Sequence, residues 1–352
     1  MTSNNAVLLY GRWEKPRSSG LFGMTWGATM FCGGVVIAAI LVLMFFQSVV
    51  LTGAVLVFGA LVIGPMLLQR RGRTAWELMI VKLKFWGAQT KGENIFRGGV
   101  FGVIPGRSKM PGIQGHTELY EYELRTGQRF GLIHSPAKDH YTVVLASQPQ
   151  GQELVEQSQI NSWVRGWDDF LAGLGTTHNV VGAVVVVETV PDRGTRIAAE
   201  VRAIVSPDAP DFAREVMAQT VTHRRSATVR NEVRIAITFR RQREADSREV
   251  GDQGVAIGRL LSTIINRAAH AGLDASPMTA AGLCAAATRS FRPEVTHDIE
   301  LLQTRGEHDS LRWDDTGCTG AKALWDSYVH NGYRSVTWEM AAAPAGPLPG
   351  RC

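Results

Sequence analysis

At 352 residues, 45% hydrophobic and 20% charged, the chain can hold two modest domains or one large one, and its average composition is that of an ordinary globular protein. A formal net charge of +5 with a pI near 9.2 leaves an anionic membrane surface or a nucleic acid open as partner. The four cysteines, Cys32, Cys284, Cys318 and Cys352, have no CxxC spacing, which excludes a locally encoded zinc site or disulfide framework.

The average hides an asymmetry. Residues 1–25 carry Arg12, Lys15 and Arg17, and from Trp26 to Leu68 no Asp, Glu, Lys, Arg or His occurs. A helix crossing a bilayer core of about 30 Å needs roughly 20 residues, and this run is about twice that. It predicts a transmembrane hairpin over 26–68, with spans Trp26–Phe46 and Val49–Leu68 reversing at Gln47 and Ser48. Basic residues flank both ends and none lies between, so both termini are expected in the cytoplasm and the protein in the plasma membrane. The apolar stretch runs straight on without a small-residue cleavage site, which argues against a removed signal peptide. Gly34 with Ala38, and Ala60 with Gly64, are small residues at helical spacing that would let helices approach, and Pro65 would kink or end the second span.

Residues 69–115 read as a basic juxtamembrane segment and a Gly/Pro linker. Arg70, Arg71, Arg73, Lys82 and Lys84 alternate with Trp76, Leu78, Met79, Val81, Leu83, Phe85 and Trp86, the pattern of an interfacial segment meeting anionic lipid. A continuation of the second helix packed on the following domain is the other reading.

Residues 116–290 have the patterning of a cytoplasmic α/β domain. Leu119–Leu124 and Phe130–His134 flank a turn as a hairpin, and Tyr141–Ala146 makes a third strand. A helix over Gln152–Gly175 precedes a strand at Val180–Val190; an alternating segment, Arg196–Val205, predicts the next strand. A helix opening with acidic and closing with basic residues leads into the strand NEVRIAITFR. Counted from Tyr141 the order is β, α, β, β, α, β, which predicts a ferredoxin-like (split βαβ) domain, and so a membrane-anchored α+β protein. Extra C-terminal helices are expected at Val250–Ala271 and Pro277–Ser290. The tail, 291–352, carries Trp313, Trp325 and Trp338, which call for burial, and reads as either a loose tail or a shortened chain.

No GxxxxGK[ST] loop, HExxH pair or GxSxG elbow occurs. His134 and His140, and the run Glu307-His308-Asp309, lack metal-ligand spacing and read as surface turns. No catalytic, cofactor-binding or metal-ligating residue is therefore assigned. Arginines crowd 224–248, and Arg230, Arg234, Arg240 and Arg241 are expected to form a docking face for an acidic partner. Nucleic acid is the less favoured ligand, because the strand lacks stacking aromatics and Glu232, Glu244, Asp246 and Glu249 dilute the field.

Taken together, YGRWEKPRSSGLFG (Tyr10–Gly23), the apolar hairpin, RRGRTAWE (Arg70–Glu77) and SWVRGWDDFLAGLG (Ser162–Gly175) resemble the actinobacterial membrane proteins of conjugative, type IV-like transfer systems. These are grouped with EccE, the membrane component of type VII secretion. The hairpin is also similar to PrgI-type conjugation proteins. The resemblance implies a non-enzymatic structural subunit of a secretion or conjugative DNA-transfer channel, oligomeric and docked to a separate ATPase. It carries over no functional residue. A membrane-tethered nucleic-acid handler and an unrecognised membrane-surface enzyme are the alternatives.

Overall fold

The computed structural model describes residues 26–67, 69–70, 73–99, 102, 108–149, 155–177, 179–192, 201, 203–206, 208–224, 228–241, 250–305 and 310–340. The chain divides into two compact units, one of Met1–Ile95, Ala323–Tyr328 and Arg334–Cys352, the other of Phe96–Lys322 and Val329–Tyr333.

In the first unit the charge-free run forms two helices, α1 (Trp26–Phe46) and α2 (Val49–Leu67). Gln47 stops α1 by turning left-handed at φ 46°, and the Ser48 hydroxyl then accepts the Leu51 N–H at 3.4 Å to open α2. The expected pair of membrane spans is corrected here. Among the described residues, only α1, through Thr29–Phe46, is long and apolar enough to cross a membrane, whereas the apolar part of α2 is the shorter Val49–Pro65. At 1.5 Å per residue that segment reaches about 25 Å, short of a hydrocarbon core of about 30 Å. Pro65 falls inside α2 and leaves the Leu61 carbonyl without its helical donor.

A third helix, α3 (Ala75–Thr90), opens with a capping box in which Thr74 accepts from Glu77 N–H and the Glu77 carboxylate accepts from Thr74 N–H. The Trp76 indole donates to the Val62 carbonyl at 2.9 Å, tying the first turn of α3 to the end of α2.

The second unit is built on one antiparallel sheet. Its strands are β1 (Glu118–Glu123), β2 (Arg129–Ser135), β3 (His140–Pro149), β4 (Val180–Asp192), β5 (Thr228–Arg240) and β6 (Leu273–Pro277). The spatial order is β1-β2-β3-β5-β4, and β6 pairs with β3 beyond the end of β2. Two-residue alternation places Tyr141, Val143 and Leu145 of β3, Ile235, Ile237 and Phe239 of β5, and Phe130 and Leu132 of β2 on one buried face. Against them pack α4 (Gln157–Thr176) through Phe170 and Leu174, and α6 (Val250–His270) through Ile257, Leu261, Ile264 and Ala268. Each of these large side chains contributes roughly 1.5–3 kcal/mol by leaving water. The opposite face carries α7 (Ala280–Phe291), whose Leu283 and Ala280 approach so closely that a Cβ on Gly131 would collide with them.

The ferredoxin-like expectation is overturned by this topology. That expectation took four strands with two helices on a single face, whereas the sheet has six strands and helices cover both of its faces. The strand expected at Arg196–Val205 is absent among the described residues, where Val201, Ala203 and Ile204 are helical; 193–200 and 202 lie outside them. Instead β4 pairs directly with β5, from Val180 opposite Phe239 to Asp192 opposite Thr228. The following helix, α5 (Asp211–Arg224), leaves Phe212 and Val216 exposed. Periodicity marks one element's apolar face at a time, whereas pairing depends on which apolar edges meet in space. At the end of α7, Pro293–Val295 makes a 3-10 turn and leads into α8 (Thr296–Arg305).

Candidate functional site

The first unit carries its apolar side chains outward. Along α1, Ile37, Ile40, Met44 and Phe45 are exposed, and along α2 Val50, Val57, Phe58 and Leu61, the last at 70%. Monomeric proteins in water rarely show contiguous apolar area on this scale. The helices touch where Gly59 meets Val35: a Cβ there would collide with the valine, and Ala39 one turn on is buried. Gly34 and Gly64 have open space around them, and Ala38 and Ala60 are exposed. The close approach thus uses a neighbouring register, which the many small residues of the run did not single out.

Of the expected basic cluster, Lys82 and Lys84 stand exposed on α3. The backbones of Arg70 and Arg73 pair with each other, and Arg71 lies outside the described residues. No residue of α3 is buried.

The arginines expected as a docking face are spread over different surroundings. Arg234 is drawn into a charge network: it pairs with Glu188 and, at 3.5 Å, with Glu232, which Arg289 of α7 grips with two hydrogen bonds of 3.2 and 2.7 Å. Burial, then the neighbouring Arg289 charge, hold the Arg234 guanidinium below its ordinary range. The Arg289–Glu232 pair therefore ties α7 to the sheet, with Arg234 held among the carboxylates beside it. Arg241 pairs with Asp139 at 3.4 Å, Arg240 is exposed, and Arg230 stands opposite Val190 in the β4–β5 ladder, its side chain outside what the structure describes.

Periodicity did not reveal the cluster around His134. The β1–β2 register sets Glu118 opposite His134, and the ring is 8% exposed, stacked on Tyr141 with centroids 4.7 Å apart. Its Nδ1 lies 3.4 Å from Glu118 and its Nε2 3.8 Å from Asp139. The Tyr120 hydroxyl donates to Glu118 at 2.8 Å; that bond, then His134, hold the Glu118 carboxyl below its usual value, and the same bond raises Tyr120. Burial, helped by Asp139, pushes Tyr141 up to about 12. The surface-turn reading of His134 is thus replaced by a buried ring between two carboxylates. Hairpin register alone could have found the Glu118 contact.

Beside this cluster lies an open cleft of about 520 Å³ lined by Lys109, His116, Glu118, Tyr120, Arg312 and Trp313. The Trp313 indole donates to Thr117 at 3.1 Å, and Lys109 pairs with Asp314 at 3.5 Å. Trp313, Lys109 and Tyr120 are thus each engaged with a neighbour in the cleft. On α7, burial pushes the Cys284 thiol up to about 11, which keeps it protonated and a poor nucleophile. Among the described residues no three His, Cys, Asp or Glu side chains are placed to hold a metal ion. Glu307, His308 and Asp309 lie outside them.

At the far edge of the sheet, β4 shows Val181, Val184, Val185, Val186 and Val187 exposed, with no charged residue from Val180 to Val187. Such an edge offers backbone groups and apolar side chains to a neighbouring chain.

Residues 17–77 match a domain of unknown function, DUF8461. The match takes in α1, α2 and the first residues of α3 and none of the second unit. No curated protein matches the chain.

Proposed function

We propose that the protein is a membrane-anchored, non-enzymatic subunit of a secretion or conjugative transfer apparatus, whose second unit docks other subunits, including a separate ATPase, on the cytoplasmic face of the plasma membrane. The observation that carries this reading is α1, a helix near the N-terminus long and apolar enough to cross a membrane, with its apolar side chains facing outward. Support for docking comes from the charge-free valine edge of β4, where main-chain hydrogen bonds and alternate side chains can receive a partner strand. The likeness of residues 10–23, 70–77 and 162–175 to conjugation membrane proteins supplies the kind of assembly.

Two measurements test it. Affinity capture from membranes in mild detergent should recover a transfer ATPase or channel subunits with the protein; recovery of the protein alone counts against it. A cysteine at exposed Ala137 should resist an impermeant thiol reagent in intact cells and react after permeabilisation. Labelling in intact cells would place the second unit outside.

A further inference from the structure

We infer that α3 lies along an anionic lipid surface, with Met79, Ile80, Leu83 and Trp86 immersed and Lys82 and Lys84 reaching the lipid phosphates. The inference rests on the reading of α1 as a membrane anchor. All four apolar side chains are exposed, Trp86 at 66%. At about 100° per residue they occupy one arc of roughly 120°, and Lys82 and Lys84 fall about 40° beyond its two borders. Both lysines are exposed, so each can lay its methylene stem along the apolar stripe and carry its ammonium to the headgroups.

Three further contacts hold the stripe outward and next to the apolar helices. On the back of α3, Phe85 meets the ring of Trp325 edge-on with centroids 5.6 Å apart. At its start, the Trp76 bond to Val62 fixes α3 beside α2, so the stripe continues the outward apolar surface of the first two helices. The one acidic side chain of α3, Glu77, is turned back onto the Thr74 N–H and adds no hydrogen-bonding carboxylate to the stripe. A lipid surface fits this arrangement better than a protein groove: two cations border the stripe without an acid between them, and a negatively charged headgroup layer satisfies both at once.

The test uses the full chain with C32S/C352S, the buried Cys284 and Cys318 being left in place, reconstituted into vesicles. A polarity-sensitive fluorophore is attached at Leu83→Cys or, separately, at Ile40→Cys in α1. In vesicles containing phosphatidylglycerol both probes should be quenched by nitroxide-bearing lipid, the Leu83 probe more strongly by a shallow nitroxide than by a deep one. Adding K82Q/K84Q should reduce quenching at position 83 to its level in phosphatidylcholine vesicles and leave position 40 unchanged.

Quenching at 40 without quenching at 83 overturns the inference and leaves the anchor standing, and no quenching at either position overturns both. A blue-shifted but unquenched probe at 83 means that protein covers the stripe, a second copy included, and also overturns it. Equal quenching at 83 in the two vesicle types removes the anionic requirement, and the proposal falls in that form.

Discussion

In α6, Ile257, Leu261, Ile264 and Ala268 recur at one-turn spacing and are all buried against the sheet, while Val255 and the charged residues face outward. In α1 and α2 the same residue types surround the helix on every side, and Val50, Phe58 and Leu61 have no protein above them. The second unit thus buries the apolar stripe of its helices against its own sheet. The first has a seam at Val35, Ala39 and Gly59 and otherwise depends on its surroundings to cover apolar area. Equal hydrophobicity has opposite consequences in the two places, because a sheet and a second layer of helices are available in only one of them.

Breaking the charge network is the harshest way to test this contrast. Arg289→Ala strips Glu232 of two charge-assisted hydrogen bonds, leaves it the longer 3.5 Å contact with Arg234, and should destabilise the second unit by about 3–5 kcal/mol in urea unfolding. The leucines give the direct comparison. Leu261→Ala, at a fully buried position, should cost about 2–5 kcal/mol, whereas Leu61→Ala should leave the unfolding of the second unit within about 0.5 kcal/mol of wild type. Equal losses would erase the distinction between the units.

Gly59→Leu must push α1 and α2 apart at Val35, an overpacking cost of about 1–3 kcal/mol seen as a lowered helical melting temperature in detergent; Gly64→Leu, with open space around it, should not show this loss.

Two smaller effects are read from pH. The folded Tyr141 phenol titrates at about 12 against an ordinary 10.0, so its contribution is complete below the ordinary value and is lost as the pH rises through the folded one. Tyr141→Phe removes the 3.1 Å bond to Asp139, costs about 1 kcal/mol at neutral pH, and should flatten the alkaline limb of the stability profile. Glu118 runs the other way. Its folded carboxyl sits below its ordinary value, so its contribution is present above that value and is lost as the pH falls through the folded one. Glu118→Gln should flatten the acid limb, with a loss within about 0.5 kcal/mol for so exposed a carboxylate.

Local patterning carried much of the second unit. The hairpin of β1 and β2, the alternation of Val233, Ile235, Ile237 and Phe239, and the capped helices all follow from spacing that a few neighbouring residues set. The stretch Leu273–Pro277 is less legible: lying between the helices expected at Val250–Ala271 and Pro277–Ser290, it pairs with β3, because its strand character comes from the free edge beyond β2. Trp338 illustrates the opposite error. Its ring suggested burial, yet it is 91% exposed, since side-chain type alone cannot say which surfaces will be near. The His134 site was hidden for a similar reason. Glu118, His134 and Asp139 are ordinary polar residues in sequence, and only the β1–β2 ladder and the β2–β3 turn bring them to one ring.

By itself the sequence determined where water can and cannot be met: a charge-free run of two apolar helices, a basic and aromatic helix after them, and alternating strands with capped helices beyond. These are one-dimensional properties, decided by residues within a turn or two of each other. The tertiary structure decided the rest. It placed β4 beside β5, drew Arg234 into a charge network, seated His134 between two carboxylates and chose Gly59 as the point of helix contact. Each depends on residues far apart in the chain, whose meeting is settled by competition among many apolar edges for the same buried space.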